Sequence, residues 1–270
     1  MSGTLYLCGT PIGNLEDATY RLIHTLETVD LIAAEDTRNT LKLLNHFQIK
    51  TPLVSYYEHN KAAKGPLLAE KLKEGLNIAL VSDAGMPGIS DPGADLLLLC
   101  ITENIPVTTV PGPTAMVSGL VLSGMDTRRF VFEGFLPREK KERKAVLETL
   151  EKEHRTMIFY EAPHRLQETL EILGKTLGMD RKISTARELT KKFEEVKRGT
   201  IASLLAEYEK DAPKGEFVLI VEGYSLQQQK LAAAEDWEKI PLAEHMNRYL
   251  EAGMSQKDAM KQVAKDRNVA

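Results

Sequence analysis

Twelve residues between an apolar run and a helical pattern, residues 82–93, limit the folds open to this chain. Their sequence, SDAGMPGISDPG, contains three glycines and two prolines, and neither a helix nor a strand accommodates that spacing. A connection between a strand and a helix ordinarily takes about 2–6 residues. The segment follows residues 78–81 at the carboxyl end of a strand, where open α/β sheets bind ligands. We expect a shaped ligand-binding loop; a rigid structural turn is the alternative.

Short apolar runs alternate with helical patterns through the first 112 residues. This alternation predicts a mostly parallel sheet with helices on both faces. The predicted strands are residues 5–9, 31–34, 53–57, 78–81 and 107–110. The predicted helices are residues 18–29, 40–47, 67–74 and 94–103.

A second series of strands and helices starts near Arg129. Its predicted strands are residues 130–135, 157–160, 183–187 and 217–221, with helices near 139–153, 164–177 and 202–210. The tripeptide Pro111-Gly112-Pro113 can continue neither a strand nor a helix, so it predicts a hinge. The predicted organisation is an amino-terminal α/β domain, a carboxyl-terminal α/β domain and a helical tail, covering residues 1–112, 113–225 and 226–270.

The tail has a different pattern from the two α/β series. Residues 227–237 are polar and weakly helical. Residues 242–250 and 256–264 read as two short helices around a turn centred on Gly253. This pattern predicts a helical cap on the second domain, with half of a helix-turn-helix as the alternative.

Composition describes a soluble globular protein with a sizeable core: 270 residues, 43% hydrophobic and 27% charged. The longest apolar runs are far too short for a membrane span, and no signal peptide is apparent at the amino terminus. Cys8 and Cys100 lie in apolar segments, which indicates buried thiols in a reducing cytoplasm. The six histidines are scattered and no Cys-x-x-Cys occurs, so no metal site is predicted.

The net charge of −4 is unevenly distributed along the chain. Residues 1–112 carry 8 Lys or Arg and 13 Asp or Glu, hence −5, whereas residues 113–270 carry 27 and 26. Within the second part, residues 128–144 contain seven basic and three acidic side chains. A local excess of this kind suits a phosphate backbone, and a solvated helix face is the alternative.

Polar clusters also follow the first two predicted strands. Residues 10–14, Thr-Pro-Ile-Gly-Asn, stand where a dinucleotide fold places its glycine-rich fingerprint, and that fingerprint is missing, as is a Walker lysine. A nicotinamide cofactor or a nucleoside triphosphate is therefore disfavoured. Glu35 and Asp36 follow the second strand, with Arg38 close behind. Because buried carboxylates need partners, they indicate a cleft, or else Asp36 caps a helix and pairs with Arg38.

Two clusters in the second series lie at corresponding positions. Glu161, His164 and Arg165 follow the strand at 157–160. A histidine at a helix amino end is disfavoured as imidazolium, so His164 could accept a proton; ordinary helix-starting chemistry is the alternative. Residues 187–199 are densely charged and form either a basic rim of a cleft or a solvated surface.

Taken in order, these clusters resemble the ribosomal RNA small subunit methyltransferase I family. The matching segments are residues 10–17, 34–38, 81–93, 111–115, 133–138, 160–165 and 187–190. The resemblance covers about residues 4–224 and implies the tetrapyrrole-methylase-like fold of S-adenosylmethionine (AdoMet) dependent enzymes. It implies 2′-O-methylation of a cytidine ribose in 16S ribosomal RNA or the small ribosomal subunit, in the cytoplasm, by a homodimer. Family members usually continue some residues past Ala270, which leaves the role of the tail open.

The resemblance places AdoMet between the two domains. The implied cofactor-binding residues are Pro11, Ser82, Asp83, Ala84, Gly85, Ile89, Pro111, Thr114, Ala115, Tyr160, Glu161 and Leu189. The RNA-facing candidates are Arg38, Arg138, Lys140, Lys141 and Arg165. A ribose hydroxyl is a poor nucleophile, so a base should contribute about 10²–10⁴-fold. The candidate bases, in order, are Asp36, Glu35 and His164.

Two other functions stay open at this point. A tetrapyrrole methyltransferase would share the fold and cofactor but would need an apolar pocket for a macrocycle. An aromatic content of 6%, with Trp237 the sole tryptophan, and the basic run at 138–144 argue against such a pocket. A non-catalytic RNA-binding protein could also use this fold, and AdoMet binding with methyl transfer to RNA would distinguish it.

Overall fold

The first half of the chain forms a five-stranded parallel sheet, as predicted. A computed structural model describes residues 2–210, 213–224, 240–267 and 269. The strands of this sheet are β1 (Leu5–Cys8), β2 (Leu31–Ala34), β3 (Leu53–Ser55), β4 (Ile78–Val81) and β5 (Val107–Val110). They lie in the order β3-β2-β4-β1-β5. Strands β2 and β4 are buried along their whole length, which is why both read as unbroken apolar runs.

Four helices connect these strands: α1 (Tyr20–Thr28), α2 (Thr37–His46), α3 (Lys61–Lys73) and α4 (Gly93–Thr102). The third begins well before the predicted residue 67 and continues through Pro66. Asn60 starts it, because its carbonyl accepts the N–H groups of Ala63 and Lys64 at 3.1 and 2.9 Å. The turn has therefore formed before Pro66, whose missing N–H removes one donor from the helix.

The second half forms a mixed sheet whose central strand is the last one in the sequence. Its strands are β6 (Phe130–Phe135), β7 (Thr156–Glu161), β8 (Lys182–Arg187), β9 (Glu195–Thr200) and β10 (Phe217–Val221). They lie in the order β6-β7-β10-β8-β9; β6 is parallel to β7 and the other pairs are antiparallel. Its helices are α5 (Ala115–Ser123), α6 (Lys140–Leu150), α7 (Leu166–Leu177) and α8 (Ile201–Tyr208).

Strand β9 was not predicted, because its sequence EVKRGT lacks an apolar run. It forms the edge of the sheet and pairs with β8 from Arg187 opposite Glu195 to Lys182 opposite Thr200. The side chains of Arg187 and Glu195 meet across the pair at 2.6 Å. Charged residues are common on edge strands because they discourage pairing with a second chain. Part of the charged segment 187–199 is therefore a hairpin strand.

The chain passes from one sheet to the other through Pro111, Gly112 and Pro113, directly before α5. That helix packs on the second sheet, with Leu120 in a core cluster that includes Ile158 and Val218. The predicted domain bounds 1–112, 113–225 and 226–270 stay predictions. The two free cysteines are buried, as expected. None of the helices in the described part of the chain is long and apolar enough to span a bilayer.

The backbones of Gly9 and Gly112 touch where β1 and β5 end. A Cβ on Gly112 would lie 2.5 Å from the carbonyl oxygen of Gly9, and neither backbone can retreat without moving its strand. We expect Gly112→Ala to lower the free energy of unfolding by about 1–3 kcal/mol, as overpacking does. Urea denaturation measures this change. Gly65→Ala is the control, since its Cβ would meet ordinary contacts at 3.7 Å; equal stability of both variants would contradict the prediction.

The tail contains two helices, α9 (Leu242–Glu251) and α10 (Gln256–Asp266), which match the predicted pair. They pack on each other around His245, which is fully buried. Its Nε2 lies 3.2 Å from a carboxylate oxygen of Asp266, and Arg267 Nε lies 3.2 Å from its Nδ1. The weakly helical segment 227–237 lies outside the described residues.

Candidate active site

A cavity of ≈ 490 Å³ lies between the carboxyl edge of the first sheet and the second sheet. This volume falls within the range of about 300–1,000 Å³ found for small-molecule sites. Its wall combines the loops after β2 and β4, the start of α5, the ends of β6, β7 and β8, and the start of β10. Of the predicted site residues, ten line it: Glu35, Ser82, Asp83, Ala84, Gly85, Ile89, Thr114, Ala115, Tyr160 and Leu189.

The loop at residues 82–93 is shaped by a carboxylate of its own. Asp91 accepts N–H hydrogen bonds from Gly88 at 2.9 Å, Ile89 at 3.2 Å and Gly93 at 2.7 Å. Ser90 adopts φ of +63°, a conformation that costs free energy for a residue with a Cβ. The loop is therefore held in one strained shape at the cavity wall, which favours a binding role over a plain turn.

Three segments of the chain meet at Gly85. Its φ is +81°, and a Cβ placed on it would lie 3.3 Å from both Ile12 Cγ2 and the carbonyl oxygen of Pro113. Gly85 also pairs with Thr10 through two backbone hydrogen bonds of 2.9 and 3.1 Å. A side chain at this position would crowd the wall, and the left-handed backbone favours glycine.

The structure gives Asp36 a structural role, against its place as the first candidate base. Its carboxylate caps α2 by accepting the N–H of Arg38 at 2.8 Å and forms two further hydrogen bonds with the Arg38 guanidinium at 3.0 and 2.7 Å. These bonds lower the pKa of Asp36 to about 2, so the carboxylate is a weak base. Asp36 does not line the cavity. It caps α2 and pairs with Arg38, which is the alternative role predicted for it from the sequence.

Glu35 and Asp83 face the cavity, and their pKa values are raised, whereas the pKa of Asp36 is lowered. Burial raises the pKa of Glu35, and the nearby charges of Asp83 and Asp91 raise it further. Burial also raises the pKa of Asp83, whose Oδ1 accepts the Asp36 N–H at 3.0 Å. A carboxylate with a raised pKa is a better proton acceptor, so Glu35 takes the first place among the candidate bases.

Glu161, His164 and Arg165 lie outside the cavity. Glu161 is fully buried and accepts a 2.6 Å hydrogen bond from Thr169 Oγ1, which ties β7 to α7. His164 is exposed on a short 3-10 helix. The Arg165 side chain is 14% exposed, and its Nη2 donates to the carbonyl of Leu136 at 2.9 Å. Arg165 therefore holds the backbone after β6 and is a poor candidate for an RNA contact.

The other basic candidates lie near the cavity and in solvent. The Arg38 side chain is 86% exposed and pairs with Asp36. Arg138, Lys140 and Lys141 are exposed and follow β6 closely, whose last residue, Phe135, lines the cavity. Pro11 and Pro111 lie in loops after β1 and β5 and are not part of the wall.

Sequence reasoning did not name Gly215, and it gave Glu188 no role of its own within the charged segment 187–199. Glu188 has φ of +50° and pairs with Lys191 at 2.9 Å. Gly215 has φ of +77°, which favours glycine, and a Cβ there would lie 2.6 Å from the Glu188 carboxylate. For Gly215 the only sequence signal is its position shortly before the apolar run that forms β10. Such signals are common before strands and do not identify a site.

Comparison with known proteins identifies the family. Residues 4–205 match the model of the Tetrapyrrole (Corrin/Porphyrin) Methylases. The chain is 52% identical to the ribosomal RNA small subunit methyltransferase I of Halalkalibacterium halodurans over 268 residues, 99% of this chain and 91% of that one. Its identity to the protein of that name from Bacillus subtilis is 51%, with coverage of 99% and 91%. The chain belongs to the ribosomal RNA small subunit methyltransferase I family.

A solved structure of another methyltransferase has the same fold as this chain. The uroporphyrin-III-C-methyltransferase of Thermus thermophilus superposes with a TM-score of 0.57 at 21% identity, covering 82% of this chain and 94% of that one. The predicted fold, two α/β domains of the tetrapyrrole methylase type with a helical tail, is confirmed.

The cofactor of this family member is AdoMet, and the cavity fits it. The acidic side chains of Asp83 and Glu188 suit the cationic group and hydroxyls of AdoMet, and the apolar side chains of Ile12 and Leu189 suit its purine. Gly85 provides a cradle that any Cβ would narrow. Among the described residues, no group of three or more His, Cys, Asp or Glu side chains could hold a metal ion.

Proposed function

We propose that this chain transfers the methyl group of AdoMet to the ribose 2′-hydroxyl of a cytidine in 16S ribosomal RNA. The observation that carries the proposal is one half-buried carboxylate, Glu35, in a cavity fit for AdoMet beside exposed basic residues. Relatives about half identical to this chain are named for methylation of small-subunit RNA, which supports the substrate class.

The chain's own residues act mainly by alignment. Bound AdoMet supplies a methyl group on a sulfonium, which is already a good leaving group. Holding the 2′-oxygen in line with that methyl group contributes several kcal/mol, up to about 7–11 kcal/mol in ideal systems. Glu35 accepts the hydroxyl proton as the new C–O bond forms. Its raised pKa matches this task better than the low pKa of Asp36.

A tetrapyrrole substrate is the second candidate, because the matching family model carries that name. A macrocycle needs a broad apolar surface, whereas the wall here includes Glu35, Asp83, Asp91, Glu188 and Glu216. A cavity of ≈ 490 Å³ must also hold the cofactor itself. Both observations favour a substrate that stays largely outside and inserts one nucleotide.

The proposal includes a homodimer acting in the cytoplasm on 16S ribosomal RNA or the small ribosomal subunit. Exposed apolar side chains on α5 support self-association: Val117 and Val121, one helical turn apart, are 44% and 66% exposed.

The deciding experiment is the mass of ribosomal RNA fragments with and without this protein. We expect one nuclease fragment of 16S RNA to gain a single methyl group, on a ribose, only when the protein and AdoMet are both present. Methyl transfer to a porphyrin or corrin precursor, with unchanged RNA masses, would support the tetrapyrrole alternative. Absence of AdoMet binding would support a non-catalytic RNA-binding protein.

The exposed basic segment after β6 gives a separate prediction. Replacing Arg138, Lys140 and Lys141 together by alanine should weaken RNA binding and flatten its salt dependence. Each lost phosphate contact lowers the slope of log affinity against log salt by about 0.7–0.9 units. Fluorescence anisotropy at several salt concentrations measures the slope, and AdoMet affinity should not change.

The matched control replaces three exposed lysines far from the cavity. Lys50, Lys71 and Lys175 lie toward the opposite edges of the two sheets. Replacing them by alanine also removes three positive charges, so the change in net charge is the same in both variants. We expect this control to keep a nearly normal slope. Equal slopes for the two triple variants would mean that the basic segment is only a solvated helix face.

A further inference from the structure

A bulge in β6 changes the direction of the strand's last aromatic side chain. The parallel pairing with β7 aligns Phe132 with Ile158 and Phe135 with Tyr160, with a register shift between Phe132 and Gly134. Gly134 has φ of +64°. Side chains alternate along a regular strand, so Phe132 and Phe135 would face opposite sides of the sheet without this shift. The bulge places both on the side of Ile158 and Tyr160.

That side of the sheet carries α5, but the helix does not cover all of it. Phe132 packs in the cluster beneath α5, and its ring meets Tyr160 edge-on at 5.0 Å between centroids. Phe135 lies farther along, with its ring tilted against Tyr160 at 5.7 Å. It remains 43% exposed and lines the cavity. An aromatic ring thus rests on the core and presents the rest of its surface at the cavity.

The backbone around Phe135 is fixed on both sides. The next residue, Leu136, is buried, and its carbonyl accepts a 2.9 Å hydrogen bond from Arg165. The preceding residue, Gly134, faces the strained loop of the first domain, since a Cβ there would lie 3.3 Å from Ser90 Oγ. The backbone that carries the ring is therefore fixed before any ligand binds, which reduces the entropy lost on binding.

We propose that Phe135 is the stacking platform for the pyrimidine base of the nucleotide that is methylated. The inference rests on the proposed RNA substrate and assigns a specificity residue to it. Proteins read single-stranded RNA by stacking unpaired bases on aromatic side chains. A base on Phe135 would leave its ribose at the cavity, on whose wall Glu35 also lies, and its phosphates near Arg138 and Lys140.

The test compares Phe135→Leu, Phe135→Trp and the control Phe130→Leu. Phe130 begins the same strand, is 39% exposed and is not part of the cavity wall. We expect Phe135→Leu to raise the KM for small ribosomal subunits about 10-fold, the usual size of a lost stacking contact. AdoMet affinity should stay the same by calorimetry, Phe135→Trp should restore the KM, and Phe130→Leu should behave like the wild type.

Fluorescence gives an independent readout. Trp237 is the only tryptophan of the chain, so Phe135→Trp in a Trp237→Phe background reports on position 135 alone. A single-stranded cytidine-containing oligoribonucleotide should quench its emission, and AdoMet alone should not.

Three results would overturn the proposal while the wild-type enzyme is active on RNA. They are a normal KM for Phe135→Leu, an equal loss in Phe135→Trp, and a parallel loss of AdoMet affinity, which would place the ring under the adenine. No methyl transfer to RNA by the wild type would instead overturn the proposed function.

Discussion

Glu35→Gln should slow single-turnover methyl transfer by about two orders of magnitude or more, the usual contribution of a positioned base. The substitution keeps the size of the side chain and removes its ability to accept a proton. AdoMet and RNA affinities should both stay within about three-fold, because neutral glutamine still makes hydrogen bonds. Rapid-quench measurement with labelled AdoMet gives the rate of the transfer step.

The pH profile is the second part of this test. The pKa of Glu35 is raised above its ordinary value of 4.5, and only the deprotonated form accepts a proton. The wild-type rate should therefore fall as the pH decreases through that raised pKa, and this limb should be absent in Glu35→Gln. Asp36→Asn is the control, and its rate should show only the smaller effect of a weakened cap on α2. A normal rate for Glu35→Gln with a large loss for Asp36→Asn would return the role to Asp36.

Gly85→Val should reduce AdoMet affinity by at least about 100-fold, since its side chain would crowd the cavity wall next to Ile12 and Pro113. A Cβ already meets Ile12 and the Pro113 carbonyl at 3.3 Å, and the valine methyl groups extend beyond it. The left-handed backbone at φ of +81° also strains valine, so stability should fall by about 1–2 kcal/mol. Calorimetric titration measures the affinity and a thermal transition measures the stability.

Gly124→Val separates the two effects. Gly124 has φ of +74° at the end of α5, and a Cβ there meets nothing within 4 Å. It should lose a similar amount of stability and bind AdoMet normally. If both variants bind AdoMet as the wild type does, the glycine at position 85 serves only the turn and not the ligand.

The parts of the fold predicted well were those with a strong hydrophobic signal. Strands β2, β4 and β10 are buried throughout, and each appears in the sequence as an apolar run bounded by polar residues. The loop at residues 82–93 was recognisable because glycine and proline restrict the backbone locally. Strand β9 was not predicted because an edge strand with exposed charges has the composition of a loop.

The site was predicted less completely, for a reason visible at Glu35 and Asp36. The two carboxylates are adjacent in sequence, but one faces the cavity and the other caps a helix. The direction of one backbone turn decides which carboxylate faces the cavity and which caps the helix, and the composition of the segment does not reveal that direction. Phe135 is a similar case, since a register shift against β7 decides which face of the sheet it occupies.

The position of β10 sets the order in which the second domain can assemble on the ribosome. Strands β6 and β7 pair with each other, and so do β8 and β9. The two pairs are joined only by β10, residues 217–221, which lies between β7 and β8. A nascent chain that ends before residue 217 therefore carries two separate ribbons with open apolar edges. Such edges pair readily with other chains, so this half of the enzyme is most vulnerable to aggregation until residues 217–221 have been synthesised.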